Sequence, residues 1–337
     1  AMTIRLGLLA ASRIAKSAII DPLPDVDGVE VTAIGARDLG RARATADEWG
    51  IEKAYGSYEE LLADADIDAI YIGTPAALHR EWSIATIAAG KHLLVEKPLA
   101  SNAADAQLIA DAAAAAPHVV VMEAFHWRYH PCAQQIRDIV DSGVLGQLQR
   151  IESIFDIPVG AIPQTDIRWD LPLGGGATMD LGCYSIQWAR WAASADPTEL
   201  PTVVSATTVS PVPGIDGSLG AELVWPSGLS GFIHSSMIAN GDKVDARLVV
   251  RGSAGEMVVV NPLAPQGGAS IKVTTDDGTA LHEVSNSSTY MHQLVAFRDA
   301  INEGSPFPST MEDGVRNMAI IDACYVAAGL EPRPAAS

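Results

Sequence analysis

The chain has 337 residues, 48% hydrophobic and 19% charged, the balance of a globular protein long enough for two domains. Lys and Arg number 22 against 41 Asp and Glu, a formal charge of −19, which argues against nucleic acid or anionic membrane as a partner. No apolar run reaches the ~20 residues of a membrane span. The scattered Cys132, Cys183 and Cys324 form neither a disulfide framework nor a zinc site, so no metal is expected and reduced thiols in the cytoplasm are.

Ala1 ahead of Met2 reads as an appended residue, and the start runs directly into a strand with no signal peptide. Residues 4–9 make a buried strand. Ala10-Ala11-Ser12-Arg13-Ile14-Ala15 follows and opens a helix to about Ile20. This is the strand–turn–helix setting of the dinucleotide fingerprint G-x-G-x-x-G/A, with Ala10 and Ser12 where the first two glycines belong. Small side chains still allow close approach to a pyrophosphate, so Ala10, Ser12, Arg13 and Ile14 are expected cofactor contacts. A tight turn without ligand is the plain alternative.

Strands at 30–36, 67–72, 92–95 and 119–122 alternate with helices at 40–49, 58–63 and 78–89 and an Ala-rich helix before the last strand. Such alternation implies right-handed crossovers and a parallel sheet. After the second strand, a carboxylate would bind the ribose 2′-hydroxyl of NAD, whereas an Arg accommodates the 2′-phosphate of NADP. Gly35-Ala36-Arg37-Asp38 supplies Arg37, which favours NADP; Asp38 is the contrary feature and keeps NAD possible. Gly73-Thr74-Pro75 ends a strand and His79 opens the next helix. Thr74, Pro75 and His79 therefore line the cofactor's middle, unless His79 is structural.

Val95-Glu96-Lys97-Pro98-Leu99 puts a lysine at the carboxyl end of a buried strand, where open α/β sheets bind ligands. A solvated lysine is the ordinary reading of such a position; partners downstream change it. Phe125-His126-Trp127-Arg128-Tyr129-His130 is dense in aromatic and titratable groups and reads as a pocket rim. A helix at 132–141 and an alternating strand at 149–157 follow. Beyond Arg168, the Gly174-Gly175-Gly176 run opens a helix to about Trp191. On it Asp180 and Tyr184, at i and i+4, share a face and present a carboxylate and a phenol together.

Residues 201–284 read as strands joined by turn dipeptides, a largely antiparallel sheet with one face on helices. The other face, broad and partly apolar, suits a homodimer or homotetramer. Helices near 289–302 and 311–328 close the chain, and 332–337 is a frayed tail. The fold class is α/β: an N-terminal Rossmann dinucleotide-binding domain over residues 1–123, then a C-terminal α+β domain on a large, mostly antiparallel open sheet over 124–337.

These residues resemble the glucose–fructose oxidoreductase, inositol dehydrogenase and rhizopine catabolism (Gfo/Idh/MocA) family over nearly the whole chain, most specifically from Gly73 to Arg190. Met122-Glu123-Ala124-Phe125, Asp166-Ile167-Arg168 and Cys183-Tyr184 are similar to the branch holding NADP-dependent D-xylose 1-dehydrogenase and dimeric dihydrodiol dehydrogenase. Much of the wider family has His in place of Tyr184. The resemblance implies that Lys97 and Tyr184 are catalytic with Asp180 beside them, and that Lys97–Pro98 is cis. It implies that Glu96 and Lys97 touch the cofactor, and that Lys97, Phe125, Trp127, Arg168, Asp180 and Tyr184 meet the substrate. Ala10 and Ser12 are its departures.

The expected reaction is hydride transfer between NADP and a hydroxyl of a sugar or cyclic polyol, as in an aldose 1-dehydrogenase. Tyr184 would move the hydroxyl proton, with its pKa lowered by Lys97, and Asp180 would fix Lys97 or a substrate hydroxyl. The alternatives are a trans-dihydrodiol dehydrogenase, a same-fold enzyme whose tightly bound nicotinamide serves net glycoside cleavage or epimerisation, and a nicotinamide-sensing regulator without turnover.

Overall fold

Strand β1 (Ile4–Leu9) is buried along almost its full length, as a strand covered on both faces must be. The structure is a computed structural model that describes residues 2–335. Around β1 lie β2 (Val29–Gly35), β3 (Lys53–Tyr55), β4 (Ala69–Ile72), β5 (His92–Val95) and β6 (Val121–Glu123), all parallel, in the order β3-β2-β1-β4-β5-β6. This is the doubly wound order, whose direction reverses between β1 and β4. The crossovers carry α1 (Arg13–Ala15), prolonged by a π turn over Lys16–Ile20, then α2 (Leu39–Trp49), α3 (Tyr58–Ala63), α4 (His79–Ala88) and α5 (Ala103–Ala115). The sequence pattern omits β3, whose three residues are too few to show a period. Lys53 within it reaches Asp64 and Asp66, both at 2.9 Å.

Helix α6 (Pro131–Asp141) leads into β7 (Leu148–Pro158), after which come a π turn at Thr178–Gly182 and α7 (Cys183–Ala193). The remaining strands are β8 (Thr202–Val209), β9 (Ser218–Val224), β10 (Ser230–Ala239), β11 (Asp245–Gly252), β12 (Gly255–Val260), β13 (Ser270–Thr275) and β14 (Gly278–His282). They form one sheet, β14-β13-β12-β11-β7-β10-β9-β8, antiparallel except for the β7–β10 pair. Along β7, Ile151, Ser153 and Phe155 are buried and alternate with half-buried Arg150, Glu152, Ile154 and Asp156. On that second face Phe232 stacks with His234 at 6.2 Å, and Arg150, Glu152, Glu222, Arg251 and Glu256 form a chain of ion pairs.

Two helices follow, α8 (Thr289–Glu303) and α9 (Met311–Ala327). The chain divides into two compact units that are discontinuous in sequence. One takes residues up to 100, 104–129 and 288–315; the other takes 101–103, 130–287 and those from 316 on. A single cut at 123/124 misses this because periodicity does not reveal which core a late helix joins. Leu294, Phe297 and Ala300 on α8 fall in the same buried cluster as Ile4, Leu6, Leu8 and Ile19. Nor is the tail frayed throughout: Arg333 is 1% exposed, while 336–337 lie outside the described residues.

Candidate active site

In the first unit, the strands flanking the reversal are followed by Ala10 and Gly73, at the carboxyl ends where doubly wound sheets take ligands. Ala10 has φ +94°, the left-handed backbone that the first fingerprint glycine adopts without strain. Ser12 stands at the N-cap of α1 without a side-chain cap bond. Its Oγ and Thr74 Oγ1 are both buried with no hydrogen-bond partner among the described residues. A Cβ on Gly73 would come within 2.5 Å of Ser12 Oγ, so glycine lets that hydroxyl keep its present place. Two orphaned hydroxyls in the turns after β1 and β4 fit a polar ligand in the crevice, since such groups are rarely left unsatisfied. Arg13 is exposed, and Ile14 and Pro75 are half-buried nearby in sequence.

Arg37 is exposed just past β2. Asp38, the feature that spoke for NAD, accepts from Arg41 N at 2.7 Å and caps α2. Arg41 Nη2 in turn donates to the Ala11 carbonyl at 2.9 Å, across the fingerprint loop.

At the end of β5, Lys97–Pro98 is cis and Lys97 is half-buried. Glu96 is 6% exposed; its Oε1 accepts from Tyr71 Oη at 2.8 Å and its Oε2 from Lys97 N at 3.2 Å. His79, expected to line the cofactor's middle, is 1% exposed. Its ring nitrogens lie 2.9 Å from the Pro98 carbonyl and 2.8 Å from that of Thr74, and burial pushes its pKa down. It bridges the two turns. His126 Nδ1 is 2.8 Å from Thr289 Oγ1, and its ring lies 4.1 Å from that of Tyr290. Burial, then the charge of Lys97, lowers its pKa to about 3, so this imidazole is neutral and is no base at neutral pH.

The segment read as a pocket rim forms a packed 3₁₀ turn, His126–Tyr129, in which His126 and Trp127 are buried. Phe125 and Trp127 are fully buried, and Arg128 pairs with Asp313 at 3.2 Å. Aromatic and charged density in sequence does not separate a rim from a satisfied core turn. His130 caps α6, its Nδ1 accepting from Cys132 N at 3.0 Å. Sequence reasoning missed Tyr71, Tyr290 and Thr289. A phenol inside a four-residue buried strand was the available signal for Tyr71, because a buried hydroxyl needs a partner.

In the second unit, Asp166 and Asp170 cap successive 3₁₀ turns, Ile167–Trp169 and Leu171–Leu173, ahead of the glycines. The helix then begins with the π turn that contains Asp180 and passes at Cys183 into α7, which carries Tyr184. Arg168, expected as a substrate contact, is engaged by protein: Nε donates to Asp180 Oδ2 at 2.6 Å and Nη1 to Asp166 Oδ1 at 3.0 Å. The charge of Asp180 leads the effects that raise its guanidinium above the ordinary value. Tyr184 is 5% exposed, its ring 6.0 Å from both Phe155 and Trp188, which pack on each other at 5.8 Å, so two aromatics fix its plane. This unit therefore presents a paired carboxylate and a rigidly seated phenol; the first presents a lysine beside a buried carboxylate.

Two family descriptions match the chain: "Oxidoreductase family, NAD-binding Rossmann fold" over residues 4–125 and "GFO/IDH/MocA C-terminal domain" over 133–258. It is 34% identical to a D-xylose 1-dehydrogenase (NADP(+)) of Haloferax volcanii over 96% of each chain. Identity is 35% to a trans-1,2-dihydrobenzene-1,2-diol dehydrogenase of Xenopus tropicalis, over 71% of this chain and 70% of that one. Among solved structures it is similar to a 3-ketoreductase from Actinomadura kijaniata in complex with NADP and TDP-benzene. There the TM-score is 0.85 and identity 27%, over 96% of this chain and 97% of that one.

Proposed function

The chain belongs to the GFO/IDH/MocA oxidoreductase family, and on that premise we propose that it transfers hydride between NADP and a hydroxyl of a neutral sugar or cyclic polyol. The observation that carries this reading is Lys97 at the carboxyl end of β5, its neighbour Glu96 held by Tyr71, in a chain matched end to end by a xylose dehydrogenase. NADP, when bound, supplies the hydride acceptor. Ser12 and Thr74 offer it their unpaired hydroxyls, with Ala10, Arg13, Ile14, Pro75 and Glu96 around it. Arg37 takes the 2′-phosphate, a task its planar fork suits and for which the capping role of Asp38 leaves no competing carboxylate.

On the substrate, Tyr184 accepts the hydroxyl proton as the C–H hydride leaves, and returns it in the reverse direction. Lys97 favours the phenolate and holds the oxygen as charge develops. Asp180, oriented by Arg168, fixes a substrate hydroxyl. Phe125 and Trp127 serve as buried support. We place the enzyme in the cytoplasm, where the buried thiols of Cys132, Cys183 and Cys324 stay reduced. Among the described residues no helix is long and apolar enough to cross a membrane. We assign self-association to the Phe232 face of the large sheet; sedimentation that finds wild type a monomer, or Phe232→Glu as associated as wild type, would refute that assignment.

The test of function is a panel of aldoses, polyols and trans-diols with NADP and with NAD, read at the reduced-nicotinamide absorbance band, with Lys97→Met as control. NADP reduction on a sugar or polyol is expected, and Lys97→Met should bind NADP yet lose more than about tenfold in rate, ~1.4 kcal/mol. No turnover on the whole panel, or full turnover by Lys97→Met, sinks the reading.

A further inference from the structure

The carboxyl-terminal segment carries a buried guanidinium with an unusual set of acceptors. Arg333 is 1% exposed; its Nη2 donates to Asp216 Oδ1 at 2.5 Å, its Nε to the Gly175 carbonyl at 2.6 Å and its Nη1 to the Gly214 carbonyl at 2.9 Å. Its plane lies on the Tyr325 ring, 3.9 Å from the centroid, and Asn102 Nδ2 tethers the Arg333 carbonyl at 2.8 Å. Asp216 is 0% exposed. Its Oδ2 accepts from Thr178 N at 2.7 Å and Thr178 Oγ1 at 2.6 Å, and its backbone carbonyl accepts from Ala177 N at 2.8 Å. Thr178 is the first residue of the π turn, and Asp180 N closes onto the Gly176 carbonyl at 3.1 Å.

Asp216 thus satisfies amide donors that a helix start leaves without intrahelical partners, and Arg333 satisfies Asp216. Gly176, at φ +137°, sits inside this knot, where a Cβ would overlap the Asp216 carboxylate. Gly176 therefore does more than allow a turn: it lets the tail reach the helix start, while Gly175 lends its carbonyl to Arg333.

We propose that Arg333 is a positioning residue that, through Asp216 and Gly175, fixes the start of the helix presenting Asp180 and Tyr184. The tail belongs to the proton-handling apparatus of the second unit. The inference rests on the roles given to Asp180 and Tyr184 under the proposed function. A buried ion pair with only a structural part would change the amount of folded protein and leave the turnover of each folded molecule as it was.

Arg333→Lys keeps the Asp216 charge paired but cannot span three acceptors, so it is the primary variant; Arg333→Ala, which strands a buried charge, is the severe one. For Arg333→Lys, NADP affinity by titration should stay within about twofold while kcat falls about tenfold or more. Amide exchange over residues 175–187 should quicken about tenfold, with β1 to β6 unchanged. Guanidinium ion added to Arg333→Ala should return part of the lost kcat. Wild-type kcat in folded Arg333→Lys, or unchanged exchange over 175–187, overturns the proposal. Should the wild type oxidise nothing on the panel, the functional reading fails by itself and exchange alone decides the lock.

Discussion

Arg168 closes on Asp180 with its Nε 2.6 Å from the carboxylate while its Nη1 reaches Asp166 at 3.0 Å, so two residues that look independent in sequence form one charged unit. Removing either member leaves the other misdirected. Arg168→Gln should lower kcat/KM by roughly 10- to 100-fold, the scale of a hydrogen bond to a charged group, about 1.5–3 kcal/mol. Asp180→Asn should do the same, and the double variant should be no worse than the poorer single. A double-mutant cycle with additive losses would show that the two act separately.

Tyr184→Phe retains the ring that packs 6.0 Å from Phe155 and Trp188, so its melting temperature should stay near that of wild type. Its oxidation rate should fall at least about 100-fold, the lower range of general-base contributions, and lose the alkaline limb of the pH–rate profile. Tyr184→His should keep part of the activity with the limb moved toward the imidazole range, near ~6.5. An unchanged limb at near-normal rate in Tyr184→Phe would assign the proton to another group.

For the cofactor, Arg37→Ala should weaken NADP far more than NAD, by about tenfold or more, because only the 2′-phosphate uses a guanidinium there. Titration by nicotinamide fluorescence checks it. Equal weakening of both would mean that Arg37 supports adenine or fold and would return NAD to contention.

His126 makes stability depend on pH in a definite direction. Its folded pKa, about 3, is below its ordinary 6.5, so under 6.5 the unfolded chain binds a proton that the native state refuses. Its contribution to stability is therefore flat above 6.5 and is lost as pH falls from there toward 3. From neutrality to about pH 5 the loss is about 2 kcal/mol, at ~1.4 kcal/mol per unit. Denaturant unfolding of His126→Asn at both pH values should show a fall smaller by that amount; an identical fall would refute the assignment.

Periodicity made β1, β5 and α3 legible nearly to the residue, and the motif around Lys97 marked the end of β5. What the pattern could not carry was partnership. Arg168 and His79 have residue types suited to binding, yet one is engaged by carboxylates and the other by two carbonyls, contacts that no spacing announces. Arg333 looked like tail because a short Pro-rich segment has no period, and its burial arises from a separate loop bearing Asp216. Ala10 shows the converse: without the fingerprint glycine, the backbone still adopts the left-handed turn, since β1 and α1 fix both sides of it.

The place of α8 in the first core bears on how the protein is made. Leu294, Phe297 and Ala300 complete a cluster that begins at Ile4, so most of the chain must leave the ribosome before that core can close. The amino-terminal sheet is consequently no self-sufficient module to be excised or grafted. Nascent chains stopped short of α8 would show an unfinished apolar face to chaperones, where an ordinary N-terminal domain would already be folded.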